Sequence, residues 1–100
     1  MDKESRIAWL KTCTASQRRE YYNQVASLSC AISGRHDVEL HHCSGHGFPA
    51  KRLHRPVIPL ATMYHRGANG IHSGKKTWEK IYGTQEELLI KTEELLERGK

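Results

Sequence analysis

Residues 39–47 read ELHHCSGHG, and the histidine doublet at their centre decides how the rest of the chain folds. Successive side chains of a strand point to opposite faces, so one apolar core has no use for both His41 and His42. Either the pair is incidental surface, or the strand ends there and both imidazoles turn toward something polar. Upstream, CAISGRHDVELHH holds a turn at Ser33-Gly34 and a strand from Val38 to His42. Downstream, SGHGFPAKRLHRP (44–56) is a basic loop punctuated by glycine and proline. VIPL (57–60) is a second short strand, which Pro59 assigns to a sheet edge. ATMYHRGAN then begins a helix that Gly67 and Gly70 leave short or broken.

Further outward the chain is helical. ESRIAWLKT (4–12) reads as a short amphipathic helix with Ile7, Leu10 and Trp9 inward, and Thr14 or Ser16 caps a second helix to about Ser27. Tyr21, Tyr22 and Val25 mark that helix's buried side. A helix is expected from Lys75 to Tyr82, stopped by Gly83. Thr84 and Glu87 form a capping box opening the last helix, TQEELLIKTEELLERGK, with Leu88, Leu89, Leu95 and Leu96 as its apolar positions. That helix reads as a cover for the core, with a dimerisation surface as the alternative.

One hundred residues allow one domain with a modest core. The expected division is a helical part over 1–29, a central core over 30–83 and a C-terminal helix over 84–100. No apolar run approaches the ~20 residues that span a bilayer, and MDKESRIAWLK has no signal-peptide apolar region. A soluble, cytoplasmic protein with no membrane partner is therefore expected. Cys13, Cys30 and Cys43, odd in number and without scaffold spacing, fit reduced thiols in that compartment. The net charge of +5 concentrates in residues 44–83, where seven Lys and Arg face Glu79 alone. A basic middle beside the histidines is the footprint of a nucleic-acid binder.

All seven histidines lie between 36 and 72. A strand, a basic loop, a second strand and a helix would bring His41, His42 and His65 together. This would be the arrangement of a ββα metal site, an α+β hairpin with a helix packed across it and flanking helices at either end. Phosphodiester hydrolysis needs a deprotonated water, a cation for the charge on phosphorus, and help for the leaving 3′ oxygen. A divalent ion on neutral imidazoles supplies the last two, and a neighbouring histidine off the metal can act as general base. Asn69 follows His65 by four residues, on the same face if the helix holds, and His72 comes three later.

The stretch LHHCSGHGFPAKRLHRPVIPLATMYHRGANGIHSGKKTWEKIYGTQEELL resembles the HNH (His-Me finger) endonucleases, most nearly the phage recombination-enhancement, RecA-dependent nuclease type. The likeness rests on the His-His pair, the Gly-rich basic loop, the Pro-Leu strand, His-Arg-Gly, Asn-Gly and a final His, in that order. It implies that His41 binds metal, His42 is the general base and His65 is the second ligand. The third ligand is either Asn69, at the usual HNH spacing, or His72, which ends the Gly-Ile-His segment of this subfamily and is the preferred choice. Magnesium, manganese, zinc or nickel would serve as the single divalent ion. DNA is the implied partner, with a recombinase as a further one.

The chain departs from that family in one respect. Relatives carry a structural zinc on two Cys-x-x-Cys knuckles, where this sequence has Cys30-Ala31-Ile32-Ser33 and Ala61-Thr62-Met63-Tyr64. A closed zinc site needs four good ligands, so that zinc is expected to be absent and replaced by packing of Ile32, Ala61, Met63 and Tyr64. Lys51, Arg52, Arg55, Arg66, Lys75 and Lys76 are candidate phosphate contacts, a solvated basic face being the plainer reading. His36 reads as exposed turn, and His46 and His54 as loop residues able to touch phosphate. Cys43, Trp78 and Tyr82 read as core. The function expected is a metal-dependent endonuclease or nickase of phage or prophage DNA processing. The alternatives are a non-catalytic nucleic-acid-binding or regulatory module on the same scaffold, and a protein-interaction module with a basic patch.

Overall fold

The structure, a computed structural model, describes residues 1–45 and 47–99, so His46 lies outside the described residues. It is an α+β arrangement of two antiparallel strands and five helices. Helix α1 (Lys3–Thr12) is capped by the Asp2 side chain, which accepts from Ser5 N–H at 2.7 Å. Helix α2 (Ala15–Ala26) starts at Thr14, which forms a reciprocal capping box with Gln17, so Thr14 and not Ser16 is the cap. Strands β1 (Val38–His42) and β2 (Val57–Ala61) pair with His41 opposite Ile58 and His42 opposite Val57. Helix α3 (Thr62–His65) is a single turn, followed by a 3₁₀ turn at Ile71–Ser73. Helix α4 (Lys75–Tyr82) and helix α5 (Gln85–Arg98) complete the described chain.

Opposite faces of the strand pair serve two apolar clusters. Ile58 and Leu60 pack with Cys43, Ile71, Trp78 and Leu88 in one. Val57 packs with Leu10, Tyr21 and Val25 in the other. Every residue of β2 is buried. Its Pro59 fits because the carbonyl on that side accepts from Ala31 N–H at 3.0 Å, outside the β1 ladder, where the missing proline N–H costs no ladder bond. The Tyr21 hydroxyl accepts from Val57 N–H at 3.0 Å and so seals the start of the same strand.

Three sequence expectations are corrected. On α1 the buried residues are Arg6 and Leu10, with Ile7 only half-buried. Arg6 goes inward because Glu93 of α5 accepts from its Nε and from one terminal nitrogen, each at 3.0 Å, and the Tyr21 ring lies 4.3 Å from the guanidinium. On α5, Leu88 and Leu89 are buried, while Leu95 and Leu96 are half-buried and Thr92 and Glu93 take inward positions. Of the residues expected to pack in place of the zinc, Ala61 is buried in the first cluster with Ile32 and Tyr64 against it, whereas Met63 is 57% exposed and stands outside it. The Cys30 sulfur accepts from Ile32 N–H at 3.4 Å and Ala61 N–H at 3.3 Å. Burial pushes the Cys30 thiol pKa up, and these bonds with those from Ser33 more than offset it, leaving the pKa below the ordinary value.

Candidate metal centre

His41, His65 and His72 converge. One ring nitrogen from each lies within 4.8 Å of the other two, close enough for small side-chain rotations to bring all three onto one ion. The local sequence explains the meeting. His41 sits on the β1 face that looks toward Ile58 and the first cluster, and is 1% exposed. His65 ends the one-turn helix that leaves β2 directly. His72 rides on the 3₁₀ turn anchored by buried Ile71. Gly70 permits that turn, since a Cβ there would lie 2.7 Å from the Arg66 backbone nitrogen and oxygen.

Hydrogen bonds orient the rings. His41 Nε2–H donates to Gln85 Oε1 at 2.9 Å, which leaves Nδ1 as the lone-pair nitrogen. That Nδ1 is buried and has no hydrogen-bond partner among the described residues, an orphan of the kind a metal satisfies. His65 Nδ1–H donates to Glu39 Oε1 at 2.9 Å, turning Nε2 inward, and His72 Nε2 lies 3.0 Å from it. Glu39 is held in turn by the Arg66 guanidinium, and those bonds with the one from His65 bring its carboxyl pKa down to about 2. Gln85 is itself fixed, accepting from Ser44 N–H at 3.0 Å and donating to Ser44 C=O at 2.7 Å.

The surroundings act on the titration of His41 and His72 in the same direction. Burial, then the neighbouring histidines, hold the His41 pKa down at about 4 despite the Gln85 bond. Burial and His65 lower that of His72. His42 lies on the opposite face of β1, where its ring meets Tyr22 edge-on at 5.5 Å. Burial, then Arg52 and Arg55, bring its pKa to about 4. So only His41 of the doublet joins the polar network, while His42 packs on an aromatic ring. The two faces nevertheless share an edge, because His42, His65, His72, Arg52 and Arg55 line one cleft of about 180 Å³.

Asn69 stands apart. Helix α3 ends at His65, so the four-residue spacing puts no common face under the two side chains, and Asn69 lines a separate pocket beside α4. The positions of Gln85 and Glu39 were missed. Strand parity could have found Glu39, two residues before His41 and on its face; a buried glutamine at the first position of a helix carries no such signal. The six basic candidates divide equally. Arg55 donates to Pro49 and Ala50 carbonyls, Arg66 to Glu39, and Lys75 to Ser44 C=O at 3.1 Å, so these three brace the protein. Lys51, Arg52 and Lys76 are exposed, and their side chains make no hydrogen bond or ion pair among the described residues. His54 is structural, its Nδ1 lying 3.1 Å from Leu10 C=O, and His36 is exposed. Cys43 and Trp78 are buried, with Tyr82 packed beside Trp78.

A family model described as a protein of unknown function (DUF968) matches residues 1–98. No curated protein matches the chain. No helix among the described residues is long and apolar enough to cross a membrane.

Proposed function

The chain belongs to the DUF968 family, and we propose that this member is a metal-dependent DNA endonuclease of the HNH, ββα-metal kind. The observation that carries the reading is the orphaned Nδ1 of His41, set among the inward nitrogens of His65 and His72. Three converging imidazoles, with His41 oriented by Gln85 and His65 by Glu39, form a donor set suited to a divalent ion. Such an ion, zinc or nickel by donor type and magnesium or manganese by the resemblance, would supply positive charge beside the scissile phosphate and the leaving 3′ oxygen.

The protein's own groups carry the remaining chemistry. His42 lines the cleft beside the three ligands without joining them. It takes a proton from water, whose oxygen bonds to phosphorus as the P–O3′ bond breaks, and the departing oxygen acquires a proton from solvent. Tyr22 holds the His42 ring from behind. Arg52, in the same cleft, and the open Lys51 and Lys76 offer charge to the DNA backbone.

The test is nicking of supercoiled plasmid with magnesium, manganese, nickel or zinc in turn, by the parent protein and by His42→Ala. The parent should nick with at least one ion and the variant at least about a hundredfold more slowly, in line with the loss of a general base. Both should retain DNA equally in a gel-shift assay. Tight retention without cleavage by any ion would transfer the protein to the class of non-catalytic binding modules.

A further inference from the structure

A pocket of about 310 Å³ opens between the loop after α3 and α4, and its lining residue Ser73 directly follows His72 of the histidine cleft in sequence. Its volume is at the lower limit of small-ligand sites, room for one flat heterocycle. Asn69 lines it, with a carboxamide that makes no hydrogen bond among the described residues. Thr77 adds a hydroxyl that is equally unengaged. The apolar wall comes from Trp78, Tyr82 and Ile81, the last 67% exposed and the most exposed large apolar side chain described. Trp78 is 3% exposed, and its indole N–H has no partner among the described residues.

The surroundings are basic. Lys76 and Lys80 are exposed and one turn apart on α4, in the row beside Thr77 and Ile81. The helix's single carboxylate, Glu79, is turned away to accept from Gln85 N–H at 2.8 Å. A partner for this place is therefore flat, partly apolar, edged with donors and acceptors, and attached to negative charge.

We propose that this pocket is a base-reading subsite that takes one unstacked adenine of a single-stranded or locally opened DNA strand. A carboxamide is both donor and acceptor, and pairs in bidentate fashion with adenine N6–H and N7. Ile81 and Tyr82 receive the flat base, with buried Trp78 behind them, and Lys76 and Lys80 hold the phosphates on either side of it. The subsite rests on the nuclease reading, because it acquires its purpose by fixing which phosphodiester enters the adjacent histidine cleft. Asn69 is then a specificity residue in place of a metal ligand.

The experiment measures binding without metal, so its outcome is independent of whether the protein cleaves. Fluorescence anisotropy in EDTA would compare eight-residue strands of deoxyadenosine, of thymidine and of abasic sugar, all with equal phosphate number. The parent should bind the adenine strand between about five- and a hundredfold more tightly than the abasic one, the scale of a bidentate amide–base pair. Asn69→Ala should reduce that preference to less than about threefold and leave abasic binding unchanged. Ile81→Ser, on an exposed surface that the fold does not use, should weaken the adenine strand alone.

Equal affinity for adenine and abasic strands would overturn the proposal and hand the exposed Ile81 to a protein partner. So would an Asn69→Ala variant that kept the parent's preference or lost both strands alike. Failure of plasmid nicking with a retained adenine preference would refute the nuclease reading and leave the subsite standing.

Discussion

Gln85 does for His41 what Glu39 does for His65, with a neutral acceptor in place of a carboxylate. The difference suits burial: a charge at the first position of α5, beneath Ser44, would have to be desolvated, whereas the amide is satisfied on both its atoms. Gln85→Ala should lower the affinity for zinc or nickel by about ten- to a hundredfold, the usual effect of losing an orienting partner. Isothermal titration at fixed pH measures it, and a change under about threefold would reduce Gln85 to a brace for the loop after β1. Part of the site could be read in advance at this scale. The doublet, His65 and His72 declare themselves by residue type and order. Gln85 did not, because its partners are 41 and 44 residues away in sequence and nothing about a glutamine beside a cap announces burial. The i, i+4 spacing of His65 and Asn69 gives no shared face, because that argument presumes a helix and Gly67 with φ of 95° lies just beyond the helix end.

Local chemistry governs the elements, and they were correspondingly legible. Asp2, Thr14 and Thr84 each cap a helix, and both strands begin where the sequence places them. Thr84→Ala should cost about 1 kcal/mol, the usual value of an N-cap, read as a lower midpoint in urea. The capping box also has a pH signature. Glu87 accepts from Thr84 N–H and hydroxyl, and these bonds hold its carboxyl pKa below the ordinary 4.5. A depressed carboxyl stabilises the folded chain fully above that ordinary value and loses its contribution as pH falls through the lowered one. Thermal melts between pH 6 and pH 3 should therefore decline more steeply for the parent than for Glu87→Gln; parallel curves would remove Glu87 from the acid response. The inward face of each helix was harder to foresee. Arg6 displaced Ile7 because its partner lies 87 residues away on α5, beyond the reach of any local pattern.

For the molecule as a whole, the Arg6–Glu93 pair joins the first helix to the last in a setting where both side chains are largely buried. Removing one partner of such a pair leaves an uncompensated charge inside, so Glu93→Leu should destabilise by about 3–5 kcal/mol. The double variant Arg6→Met with Glu93→Leu should recover most of that loss. Urea unfolding of the two variants beside the parent decides it, and equal instability would show that the guanidinium's stacking on Tyr21, lost only in the double variant, matters more than the charge. The division of the apolar residues into two clusters could not be read from the sequence, since it depends on how α1 and α2 close over one side of the strand pair. The strand β2, whose residues contribute to both clusters, has a consequence for motion. Neither cluster can come apart without stripping a wall from the other, so breathing of one side alone is suppressed and the amide protons of residues 57, 58, 60 and 61 should exchange with deuterium only when the whole chain opens. His41 hangs on the strand paired to it, directly opposite Ile58. One member of the proposed ligand set is thereby mounted on the slowest-opening part of the chain, and His65 and His72 reach it from the turns that follow β2.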